Sequence, residues 1–165
     1  MQQVEVLIEA LAERRPGEFK LTWEEAHKRG PTWRKHLLDG MMRLKPHARD
    51  LMLKILGRPR KILPGLDLTF NNSPARHDSH REVISFDGVA LGAPVPCAIS
   101  REAMEDHFRA DGLNKSGRFE AFQRNRSTIE RLVREKYLTW PVEDLEGALI
   151  GTADAKTLLA QLKGP

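Results

Sequence analysis

A chain of 165 residues with formal net charge +4, 40% apolar and 30% charged residues and a mean hydropathy of −0.49 reads as soluble and globular, with room for one domain or two small ones. No apolar run approaches the ~20 residues that span a bilayer, and the first residues lack the basic start and cleavage site of a signal peptide. The expectations are no membrane and a cytoplasmic location. Cys97 is the only cysteine, which excludes an intramolecular disulfide and a thiolate zinc cluster.

Val4, Leu7, Ile8, Leu11 and Ala12 recur at helical steps with Glu5, Glu9 and Glu13 outward, predicting a helix over 4–14 that Pro16-Gly17 ends. Phe19, Leu21 and Trp23 alternate with Lys20 and Thr22, as in a short strand. Thr22 then reads as an N-cap, and Glu25 completes a capping box for a short helix that stops near Gly30-Pro31. Thr32 caps the next predicted helix, with the apolar stripe Trp33, Leu37, Leu38, Met41 and Leu44. Pro46 suits the first turn of a further helix that faces Ala48, Leu51, Met52 and Ile55 inward and has Gly57 just past its end. Residues 61–70 are interrupted by proline and partly β-like.

Residues 71–81, polar almost throughout, read as a linker. Beyond it, 83–86 and 95–99 predict a hairpin around 87–94. Ser100 caps a helix with Ala103, Met104, His107 and Phe108 inward, and 112–117 breaks the chain. A long helix follows over 118–137, then a third strand over 147–151 and a short amphipathic helix over 155–162. The fold class is α+β. A basic, mostly helical region (1–70) precedes a small domain (82–165) in which two helices pack a three-stranded antiparallel sheet.

The second half carries Val-Ile-Ser-Phe-Asp-Gly from Val83, then Val-Pro-Cys-Ala-Ile-Ser-Arg-Glu-Ala-Met-Glu-Asp-His-Phe, then Ala-Phe-Gln-Arg-Asn-Arg-Ser-Thr-Ile-Glu and a closing Glu-Gly-Ala-Leu-Ile. In these motifs residues 83–150 resemble the small bacterial domain-of-unknown-function family numbered 1488. The resemblance implies a strand–strand–helix–helix–strand α+β domain and almost nothing about activity. Residues 1–70 lie outside it.

Charge is concentrated in residues 28–61, where 11 Lys/Arg face only Asp39 and Asp50, a net of +9; residues 83–165 carry 11 against 12. Clustered cations release phosphate counterions whatever the sequence bound. Lys28, Arg29, Arg34, Lys35, Arg43, Arg49, Arg58, Arg60 and Lys61 are therefore the candidate nucleic-acid contacts, with an acidic protein partner as the alternative and self-association open. Residues 22–41 follow a helix-turn-helix only in part, because Pro31 occupies the turn and Arg29 and His36 stand where apolar side chains are needed. Trp33 begins an apolar stripe, which favours core packing. Base stacking requires a ring exposed beside Arg34 or Lys35.

Within the second half, positions 119, 122, 126, 129 and 133 form an inward stripe in which Arg126 is the exception. A charge there needs a partner. Glu102, Glu105 or Asp106 on the preceding helix is expected to supply it, as a structural ion pair, or else Arg126 and Asn125 line a small-anion site. His77, Asp78 and His80 lie close in sequence, but spacing marks no further ligand, so no metal or cofactor is expected. Cys97 reads as a small apolar strand residue. There is no P-loop, dinucleotide fingerprint or nucleophile elbow. The expectation is a non-enzymatic binding protein whose C-terminal domain assembles or docks.

Overall fold

The computed structural model describes residues 2–140 and 147–163. The chain divides into two compact units: Met1–Leu66 with Trp140–Leu145, and Asp67–Thr139 with Glu146–Pro165.

The first unit contains α1 (Gln2–Arg14), α2 (Pro16–Lys28), α3 (Pro31–Met42) and α4 (Pro46–Leu56), followed by a 3-10 turn at Arg60–Ile62. Proline opens α2, α3 and α4, at the position where its missing N–H leaves no bond unmade. This corrects two sequence expectations. Pro16 starts a helix instead of only ending one, so residues 19–23 are helical, and Thr22 sits mid-helix with its Oγ1 donating to the Glu18 carbonyl at 3.0 Å. The entry to α3 is Gly30, at φ +122°, and not a Thr32 cap. The end of α4 is as expected: Gly57 is left-handed and its N–H closes onto the carbonyls of Leu53 and Lys54.

The core of this unit is built on α4, whose Ala48, Met52, Leu53 and Leu56 are buried with Ile8, Met41, Leu63 and Leu66. The other helices contribute unequally. Met41 is the buried residue of α3, and α2 buries none of its residues.

The second unit holds a sheet in the order β1 (Arg76–Asp78), β2 (Val83–Ala90), β3 (Ala93–Ser100) and β4 (Ala148–Ile150), with α5 (Arg101–Phe108), α6 (Lys115–Thr139) and α7 (Thr152–Lys163). The α+β class stands. The sheet, however, has four strands and is mixed, because β4 pairs parallel to β3 after the helical crossover. The extra strand, β1, lies inside the segment read as a linker and pairs antiparallel with Val83, Ile84 and Ser85. The hairpin is also tighter than expected. Leu91 and Gly92 both have positive φ, 50° and 77°, which makes a two-residue turn whose twist suits the flanking strands.

One face of the sheet is apolar: Ile84 pairs with Ile99 and Phe86 with Cys97, and all four are buried. Phe122, Ile129, Leu132 and Val133 on α6 are fully buried, with Phe122 ring to ring with Phe86 at 5.3 Å. Ser100 caps α5 as expected, its Oγ accepting from the Ala103 N–H at 3.2 Å. Burial pushes the Cys97 thiol up to about 12, and its Sγ donates to the Val95 carbonyl at 3.3 Å. At pH 8 the folded protein should therefore resist a thiolate-selective reagent such as DTNB, and react within the mixing time once denatured. Equal rates in both states would contradict the buried placement.

Candidate nucleic-acid interface

The α2–α3 corner is made by local chemistry. Arg29 ends α2, Gly30 takes a backbone conformation that L side chains rarely adopt, and Pro31 restarts the helix at once. The reversal brings Lys28, Arg29, Trp33 and Arg34 to one corner. Arg34 Nε donates to the His27 carbonyl at 3.2 Å, one of the acceptors that a helix end leaves without an internal donor. The Arg29 guanidinium lies 5.2 Å from the centroid of the Trp33 ring and also reaches Glu25 Oε1 at 3.0 Å. Trp33 is 46% exposed, so its expected core role is corrected. The ring is exposed, and the guanidinium set against it is that of Arg29.

The nine candidate cations do not share one fate. Lys28, Arg29, Arg34, Lys35, Arg43, Arg58 and Lys61 are exposed. Lys35 is bonded to Asp39 at 2.7 Å, which holds the Asp39 carboxyl below its ordinary range. Arg49 and Arg60 are buried, 3% and 4% exposed, and are corrected out of the interface. Arg60 meets Asp50 through two bonds, Nε to Oδ1 at 3.2 Å and a terminal nitrogen to Oδ2 at 3.0 Å, which tie the 3-10 turn to α4. The Arg49 Nε is buried without a hydrogen-bond partner.

In the second unit Arg126 does form an ion pair, with a partner other than those expected. Its Nε donates to Glu130 Oε1 at 2.8 Å, one helical turn on, and a terminal nitrogen donates to the Ser73 carbonyl at 2.8 Å. Glu105 is taken instead by Arg101 at 2.7 Å, with Arg118 at 3.8 Å, while Glu102 and Asp106 are exposed. Sequence spacing could have found Glu130, since an Arg and a Glu four apart share a helix face. No sequence signal marked the pairing of Arg134 with Asp67 at 2.6 Å, which holds the Asp67 carboxyl below its ordinary range. Both acids lie along a cleft of about 400 Å³ with Ser127, Arg131 and Arg134.

The histidine motif is used locally. Asp78 Oδ1 accepts from the backbone N–H groups of His80 and Arg81, at 3.0 and 3.2 Å, in the turn leaving β1. Among the described residues no three His, Cys, Asp or Glu side chains are placed to share a metal ion, and no helix is long and apolar enough to cross a membrane.

Residues 68–145 match the family described as "Protein of unknown function (DUF1488)", in keeping with the resemblance seen in the motifs of the second half. The basic residues 1–67 lie outside the matched stretch. No curated protein and no solved structure matches the chain.

Proposed function

We propose that the first unit binds single-stranded nucleic acid at the α2–α3 corner, with Trp33 as a stacking platform and Lys28, Arg29 and Arg34 as its first phosphate contacts. The observation that carries this is the 46% exposure of Trp33 directly against Arg29, with Arg34 the next residue of the chain. An exposed indole among cations fits a strand whose bases are free to stack, which a duplex does not offer. Arg43, Arg58 and Lys61 extend the positive surface of the same unit. The near-neutral second unit serves as the assembly or docking half.

A salt titration against random single-stranded DNA and RNA tests this, because its slope counts phosphates. Engaging about five of them gives a log–log slope of roughly −3.5, and Lys28→Ala or Arg34→Ala each reduces its magnitude by about 0.7. Binding no stronger than that of an unrelated protein of equal charge, across low and physiological salt, would overturn the reading.

A further inference from the structure

We propose that a second site on the first unit, an apolar cleft between α2 and α3, takes an acidic amphipathic helix from a partner protein. The cleft has a volume of about 380 Å³. Phe19, Trp23 and Ala26 of α2 line it, with Leu37 of α3, Leu44 just past the end of α3 and Met52 of α4. None of the α2 residues is buried, although the helix presents an apolar stripe at positions 19, 23 and 26. Such a stripe is normally covered, and its large side chains here remain half-buried. Trp33 is not among the lining residues, so the cleft and the stacking corner are separate.

The walls say what fits. They come from helices, chiefly α2 and α3, with no strand edge, which is the geometry of helix-in-groove recognition and of anchors spaced i, i+3/i+4 and i+7. Gly40 stands in the wall, exposed, and a Cβ built on it meets nothing within 4 Å. A mid-helix glycine costs about 1 kcal/mol against alanine. Here it leaves room for another backbone to approach closely.

Charge selects the polar face of the guest. Residues 1–66 carry 14 Lys/Arg against 8 Asp/Glu. His36 lines the cleft, and Arg43, seven residues on at the C-terminal cap of α3, follows on the same edge and is exposed. Acidic residues flanking the apolar stripe of a guest helix would face that edge. A second copy of the chain would instead set two positive units against each other.

The probe is a fluorescein-labelled 16-residue peptide with leucines at i, i+3, i+7, i+10 and i+14 and glutamates between them, titrated into the full chain and read by anisotropy. A scrambled peptide of identical composition and a lysine-for-glutamate peptide should each bind at least about tenfold more weakly. Gly40→Leu should lower affinity by at least about tenfold by filling the cleft, while Gly40→Ala keeps binding and raises thermal stability. Both variants should leave oligonucleotide binding unchanged. Trp33→Ala should do the reverse, so failure of the cleft and failure of the nucleic-acid reading are distinguishable. Equal binding of the scrambled or lysine peptide, or no effect of Gly40→Leu, would overturn the proposal. So would a concentration-dependent dimer, seen by sedimentation, that Gly40→Leu abolishes, since the occupant would then be a second copy.

Discussion

Gly147→Ala is expected to destabilise the second unit by at least about 3 kcal/mol, since strained backbone and overpacking each cost of order 1–3 kcal/mol. Gly147 leads into β4 at φ +135°, where an L side chain is rarely found. A Cβ there would stand 2.0 Å from the Pro96 carbonyl oxygen and 2.9 Å from its carbon. Both are backbone atoms of β3, so relief requires moving a strand. The pairing of Ala148 with Cys97 begins at the next residue, and α7 follows β4 directly. Gly88→Ala is the comparison. There the nearest atom is Leu68 Cδ1 at 2.7 Å, the end of a side chain that can turn aside, so a smaller cost is expected. Urea denaturation of the two variants measures this, and a Gly147→Ala cost below about 1 kcal/mol would contradict the described seating of β4.

Phe122→Ala is expected to cost about 3–5 kcal/mol, because a deleted core ring removes both its transfer free energy and the packing around the space it leaves. Phe122 is fully buried on α6, 5.3 Å from the Phe86 ring of β2 and 6.3 Å from that of Phe119. It thus joins the long helix to the sheet. Phe122→Leu, which keeps most of the volume, should cost less than half as much. Equal losses for Leu and Ala would show that ring packing is not what the site provides. Oligonucleotide binding, assigned to the first unit, should survive both substitutions wherever the protein remains folded.

Much of this fold was legible because it rests on short-range chemistry. Ser100 as a cap, Gly57 beyond α4 and the inward stripe of α6 each follow from spacing alone. Pro16 misled because the same residue that ends one helix can open the next, and only the packing around 19–23 decides between helix and strand. β1 left no pattern to read: three residues, Arg76, His77 and Asp78, hold a strand through partners five to nine positions away. The parallel pairing of β4 is likewise a product of the crossover and invisible in its own three residues.

The candidate interface was legible as charge and hidden as geometry. A count of Lys and Arg cannot tell Lys28, in solvent, from Arg60, whose counterpart Asp50 lies ten residues back on a neighbouring element. Trp33 looked like the start of a core stripe. Gly30 turns α3 so that the ring emerges at the corner beside Arg29.

The most direct test of the nucleic-acid reading compares Trp33→Ala and Trp33→Phe for binding to a random single-stranded 12-mer at fixed salt. Stacking on an aromatic ring is worth about 1–3 kcal/mol per base, so alanine should weaken binding roughly 5- to 150-fold while phenylalanine restores most of it, with the salt slope unchanged in both. If the alanine variant binds the strand as well as the parent protein, Trp33 is no stacking platform and the account fails.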